Sequence, residues 1–268
     1  MNRIISAFSF VAILSFVFPA SSATTTPSSK NLESVAVSAP VAVSSKEPFE
    51  DYLEELYDEA DLKKSGLNYE VFRRAATGFF NLKEQKKLNQ SKDILSIVDF
   101  GKSSREKRLW IVDLNKKKLL YNSLVAHGMG SGNDKALKFS NVENSHMSSL
   151  GFYVTENTYF GKHGLSLKLN GLDKGFNSNA KQRAIVVHGA DYVSEAFVKK
   201  QGRLGRSHGC PALPKEITPE VIQLIKGGTC LYIDAPSANY ASAYLDADTA
   251  IKRFENEILA KQSKLLSR

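Results

Sequence analysis

Between residues 94 and 233 the chain alternates short β-rich runs with glycine-rich loops, and that grammar leaves few folds open. Residues 94–100 and 109–114 are rich in β-branched, aromatic and leucine side chains, in runs better suited to strands than to helices. Asn115, Lys116 and Lys117 turn the second run into residues 119–125, which reads as a hairpin. Further strands are expected over 150–155, 165–169, 183–188 and 229–233, with loops at Gly128 to Gly132, Gly161 to Gly164 and Gly171 to Gly175. Helical patterns interrupt the series only near 193–200 and 219–226. The expectation is a mostly β domain over 91–236, a sandwich or barrel with its loops gathered at one end.

The flanks read differently. Phe49, Tyr52, Leu53, Leu56, Tyr57 and Ala60 recur at helical spacing, and a second helix is expected over 69–88 with Phe72, Ala75, Ala76 and Phe79 on one face. Together they predict an N-terminal helical hairpin over 48–90. Gly78 weakens that second helix and points to close packing at its position. Residues 237–268 form a tail whose helix, about 246–265, has only a weakly apolar face. Ahead of the hairpin, Arg3, an apolar run over 4–18, Pro19 and the small residues Ser21, Ser22 and Ala23 read as a signal peptide over 1–23. Residues 24–47, rich in Ser, Thr, Ala, Val and Pro, read as a flexible tether. A net charge of +8 favours acidic partners. For an exported chain that partner is the envelope, at the periplasm or cell surface. Nucleic acid is not expected, and membrane contact is expected only during export.

The chemistry concentrates in Arg206-Ser207-His208-Gly209-Cys210-Pro211. Gly205 and Gly209 permit tight bends, and Pro211 fixes the backbone after the thiol. Free amides in such a turn can face a developing oxyanion. Arg206 and His208 flank Cys210, and nearby positive charge favours the thiolate. Upstream, the apolar run 183–187 ends in His188-Gly189, which places an imidazole at a strand end where it can serve the thiol as base.

His188-Gly189 followed by Ser207-His208-Gly209-Cys210 resembles the active-site signature of the L,D-transpeptidases, the YkuD-type enzymes, in their second branch. Several blocks in order carry the resemblance. They include Arg108-Leu109-Trp110, Val125-Ala126-His127-Gly128, Ser148-Ser149-Leu150-Gly151 and Tyr159-Phe160-Gly161-Lys162-His163-Gly164. The resemblance implies that family's β fold over roughly residues 50–235, and an acyl transfer on peptidoglycan stem peptides. In it Cys210 attacks the stem, His188 accepts and returns the proton, and D-Ala leaves. The amides of Gly209 and Cys210, with His208, hold the oxyanion, and a carbonyl such as that of Gly189 orients the base. Ser207 joins the catalytic set, while Arg206, Gly209, Gly189, Ser149, Tyr159 and His163 face the substrate. No cofactor and no metal are expected. Ala212 departs from the pattern, because the better-studied members carry Asn or Arg at that position.

Other readings stay open on sequence. His127 with Asp134, and Glu143 with His146, have spacings suited to a zinc-dependent D-Ala peptidase. Cys210 and Cys230 could form a disulfide. Ser207 is a weaker candidate nucleophile. Basic charge and glycine loops would also suit a non-catalytic wall-binding protein. Ser149 could sit in a plain polar turn, and Tyr159 and His163 in a solvated loop.

Overall fold

The runs at 94–99, 109–113, 186–189 and 230–234 are buried along their whole length, which is why they read as nearly continuous hydrophobic runs. The computed structural model describes residues 46–237 and 239–266, with side chains over 48–237 and 239–256. The expected signal peptide, and the expected tether up to residue 45, lie outside the described residues. The helices are α1 (Lys46–Glu59), α2 (Tyr69–Glu84), α3 (Glu195–Gln201), α4 (Thr218–Ile225) and α5 (Ala247–Leu266). The strands are β1 (Ile94–Asp99), β2 (Leu109–Asp113), β3 (Lys118–Ser123), β4 (Gly151–Gly161), β5 (Gly164–Gly171), β6 (Val186–Gly189), β7 (Ala212–Leu213) and β8 (Cys230–Asp234).

They form one sheet in the order β3-β2-β1-β8-β4-β5-β6-β7, antiparallel except for β1 with β8 and β6 with β7. Beyond β3 the chain bridges back to β7: Ala126 and Ala212 exchange backbone hydrogen bonds at 2.9 and 3.3 Å. This contact joins the two ends of the sheet into a nearly closed barrel. Alternation along each strand sorts the core into layers. Ile94, Val98, Leu109, Ile111, Leu231 and Ile233 share the barrel interior with Tyr153, Leu167, Val187 and Leu213. Their neighbours Leu95, Ile97, Trp110, Val112, Cys230 and Tyr232 face outward, against α1, α2 and α5.

The helices are seated by local chemistry. Asn68 caps α2, its side-chain oxygen accepting from the Glu70 amide at 2.8 Å. Gly78 lies directly against Phe152, where a Cβ would stand 2.0 Å from a ring carbon. The face of α5 is weakly apolar in sequence, yet Ala250, Ile251 and Phe254 are buried. The Phe254 ring meets Tyr52 at 4.9 Å and Phe49 at 5.4 Å. No described helix is long and apolar enough to cross a membrane.

Two strand expectations differ from the structure. β4 runs well past its expected end, because exposed residues such as Tyr159 and Phe160 pair by backbone hydrogen bonds without a burial pattern. β6 starts later than expected, since Ala184 takes a left-handed conformation (φ +52) that delays strand entry. The mostly β architecture with helices at both ends of the described chain is the one the sequence predicts.

Candidate active site

β6 places the imidazole and β7 places the thiol. His188 stands opposite Ser166 of β5 and opposite Ala212 of β7 in a parallel register. Two residues back in that register, Cys210 falls beside Val186, whose amide donates to Cys210 Sγ at 3.4 Å. The thiol and His188 are therefore diagonal neighbours on adjacent chain segments. No hydrogen bond joins them among the described residues. The Sγ donor is directed instead at the Ala184 carbonyl, 3.8 Å away.

The tautomer of His188 follows from its partner. Nδ1 lies 3.0 Å from the Gly189 carbonyl, and a carbonyl only accepts, so Nδ1 carries the hydrogen. That leaves Nε2 with its lone pair free to take a proton. The ring is 2% exposed and stacks on His163 with centroids 4.3 Å apart. Burial lowers its pKa below the ordinary imidazole value, the Gly189 carbonyl partly opposes this, and His163 lowers it further.

Burial also pushes the Cys210 thiol up, against the pull of the Val186 amide and the Arg183 guanidinium. Both directions favour the neutral forms of the thiol and the imidazole. The expected support of the thiolate by Arg206 is not seen. Arg206 is turned away, donating to the Gly132 carbonyl at 3.0 Å and to Asn133 Oδ1 at 2.8 Å. The cation beside the thiol is Arg183. It donates to the carbonyls of Ser140 and Met147, both at 2.6 Å, and to the hydroxyls of Ser149 and Ser145.

The other loop residues have defined posts. Ser207 is buried, accepts from the Gly209 amide at 3.0 Å and donates to the Cys210 carbonyl at 2.6 Å. Its hydroxyl braces the turn and is not poised as a nucleophile. The same contact occupies the Gly209 amide, so the expected Gly209 oxyanion donor is already committed. Among the described residues the His208 amide donates to no protein acceptor, whereas the Cys210 amide faces its own Sγ and favours the thiolate. Gly209 itself is required by its backbone (φ +121), and a Cβ there would meet the Met147 carbonyl at 2.7 Å. The His208 side chain is exposed and stacks on His146, centroids 4.2 Å apart and planes 10° apart.

Of the residues expected to face substrate, Gly189 and His163 border a cavity of about 540 Å³ beside the base. Tyr159 is partly exposed on the β4–β5 hairpin, opposite Ser166 in the register that reaches His188. Ser149 is buried and donates to the Ser140 carbonyl at 2.8 Å, which makes it a brace for the loop and removes it from the surface. Ser148 and Gly128, known from the sequence only as parts of the resembling blocks or of a polar loop, shape the site through contacts the sequence did not indicate. Ser148 Oγ accepts from the Gly128 amide at 3.0 Å and donates to the Gly209 carbonyl at 3.3 Å. Gly128 in turn sits so close to Gly209 that a Cβ would stand 2.8 Å from its Cα.

The donors that the rival zinc reading would need do not converge. His127 is fully buried, with Nδ1 accepting from Arg108 at 2.8 Å and Nε2 donating to the Gly132 carbonyl at 3.3 Å. Asp134 accepts from Ser103 and Ser104, Glu143 from Gln182, and His146 stacks on His208. Among the described residues no group of His, Cys, Asp and Glu is arranged to hold a metal ion. Cys210 and Cys230 are both free thiols, Cys230 being buried in the outward core with Tyr232.

A family model described as "L,D-transpeptidase catalytic domain" matches residues 63–233. Solved structures similar to this chain include an L,D-transpeptidase from Mycobacterium smegmatis, at 13% identity and a TM-score of 0.34. That match covers 54% of this chain and 59% of the other. The helical cell shape determining protein Pgp2 from Campylobacter jejuni matches at 14% identity and a TM-score of 0.38, over 67% of this chain and 63% of that one. An L,D-transpeptidase from Mycobacterium tuberculosis matches at 12% identity and a TM-score of 0.32, over 53% and 58%. The chain thus spans less than two thirds of each of these proteins. No curated protein matches it.

Proposed function

Because the chain belongs to the L,D-transpeptidase catalytic domain family, we propose that it is an exported enzyme that acts on peptidoglycan stem peptides through a thioester at Cys210. The observation that carries the reading is the placement of Cys210 diagonally from His188, whose Nδ1 is held by the Gly189 carbonyl. Among the described residues this pair combines a partly accessible thiol with an imidazole whose free nitrogen is fixed.

The chemistry starts from the neutral thiol and imidazole that burial favours. As Sγ attacks the stem carbonyl, His188 Nε2 takes the thiol proton in the same step, which avoids a standing ion pair in a buried site. The His208 amide is available to the oxyanion, and the Cys210 amide joins it as Sγ turns from a free thiol into the bonded sulfur of the adduct. Collapse of the tetrahedral adduct breaks the bond to the terminal D-Ala, and the imidazolium returns its proton to the departing amine. A thioester remains. An amine of a second stem, or water, then gives its proton to His188 and attacks the thioester carbonyl, releasing Cys210 as the thiol. The amine yields a crosslink and water yields a shortened stem. The basic chain and the leader-like start of the sequence support delivery to the anionic envelope.

D-Ala release from a purified stem tetrapeptide tests this. Cys210→Ala should abolish release, and His188→Gln should slow it by about 10²–10⁴-fold, the range for loss of a general base. Release by Cys210→Ala at the wild-type rate rejects the assignment.

A further inference from the structure

The position that carries Asn or Arg in better-studied family members is closed to that role here. Ala212 is fully buried and packed among Leu124, Ala126, Ala190 and Leu204, so a charged side chain there would lie in an apolar cluster. The cations nearest the thiol are also committed. Arg183 spends its terminal nitrogens on the 140–149 loop, Arg206 faces Gly132 and Asn133, and Arg203 Nη1 donates to the Leu204 carbonyl. A stem peptide nevertheless presents a carboxylate close to the base. The leaving residue carries its amine and its carboxylate on one carbon, and that amine must reach His188.

A cavity of about 540 Å³ opens at Gly189, one residue past the base, and it carries cations. Its boundary with the base is His163, stacked on the His188 ring. Tyr192 and Thr218 contribute to its walls, and Lys162 and Lys215 are its cations. Lys162 is exposed and makes no ion pair among the described residues. Lys215 holds the exposed Asp191 carboxylate at 2.6 Å, so a carboxylate already occupies a position that this lysine can read. The volume lies within the range of small-molecule pockets and exceeds the need of a single alanine. It therefore leaves room for the residue that bears an incoming amine.

We propose that Lys162 and Lys215 form a carboxylate-recognition site for the leaving residue of the stem, and for an incoming amine that bears a carboxylate on the same carbon. The site rests on the roles given above to Cys210 and His188. Asp191 is its internal competitor, holding Lys215 until a substrate carboxylate displaces it.

The test compares a stem tetrapeptide ending in a free carboxylate with the same peptide ending in a carboxamide. In wild type the amide should lose at least about tenfold in kcat/KM, the scale of one charge-assisted hydrogen bond. In the Lys162→Met, Lys215→Met double variant the acid should fall to the level of the amide, so that the acid-to-amide ratio approaches one. Asp191→Asn should raise the preference for the acid several-fold, which a merely structural role for the lysines would not produce. An acid-to-amide ratio that is the same in wild type and the double variant overturns the site. Binding of both peptides to Cys210→Ala, with and without the lysine substitutions, gives a readout that needs no turnover. If wild type turns over neither peptide, the transpeptidase reading fails, while a binding preference lost with the lysines still supports the site. A preference that is absent, or that survives their removal, rejects it.

Discussion

Acid should loosen the nucleophile loop through His127, a residue that never touches substrate. His127 is fully buried, and its Nδ1 accepts from the Arg108 guanidinium. Burial first, and the Arg108 charge second, lower its pKa from 6.5 to about 4. In the unfolded chain His127 binds a proton below about pH 6.5, whereas in the folded chain it stays neutral down to about pH 4. Between those values the unfolded state holds more protons, so stability must fall as pH falls. From pH 7 to pH 4.5 the loss from this one residue amounts to roughly 2–3 kcal/mol, at about 1.4 kcal/mol per tenfold change in proton activity. The same peptide segment secures the active site, because the Ser207 amide donates to the His127 carbonyl at 3.0 Å and the Met129 amide to the Ser207 carbonyl at 2.8 Å. Urea denaturation of wild type and His127→Gln at both pH values isolates the effect. The glutamine variant should be less stable at pH 7 and should lose about 2–3 kcal/mol less than wild type on acidification. Equal losses in the two proteins would refute the reasoning.

Other outcomes follow from the same contacts. Alkylation of Cys210 by iodoacetamide should titrate above the ordinary thiol value, and Arg183→Met should move the midpoint higher still, because it removes the cation that favours the thiolate. A lower midpoint in the variant contradicts the assignment of Arg183. Gly78→Ala should destabilise the fold by about 1–3 kcal/mol in chemical denaturation, since the Phe152 contact outweighs the helix propensity that alanine adds. Ser207→Ala should leave the thiol chemically present but cut kcat by at least about tenfold, as two backbone groups of the turn lose their brace. A near-wild-type kcat would show that the turn holds without it.

Much of the barrel was legible because several of its strands are short and buried along their whole length. Ile94, Leu95, Ile97 and Val98 announce β1 by residue type alone, and both core layers follow from their alternation. Gly78 was legible as a packing site because glycine inside a helix needs a reason, which Phe152 provides. The nearness of Cys210 to His188 across the β6–β7 register accords with a strand ending in His-Gly and a Gly-Cys turn. The functions of the arginines could not be anticipated. Which guanidinium reaches the thiol depends on how the 140–149 loop wraps Arg183 and how Gly132 and Asn133 capture Arg206, and no local pattern encodes either contact. The Gly209 amide was misassigned for the same reason, since only the folded turn shows Ser207 accepting from it. The extension of β4 was hidden because exposed hairpin residues carry no hydrophobic period.

The central claim is a covalent acyl-enzyme on Cys210, and intact-protein mass spectrometry tests it most directly. After brief mixing with a stem tetrapeptide, wild type should gain the mass of the stem less its terminal D-Ala, mapped by digestion to the peptide containing Cys210. The adduct should be absent in Cys210→Ala and should accumulate more slowly in His188→Gln. Turnover of the peptide with no adduct on Cys210, or with an adduct on another residue, would contradict the account.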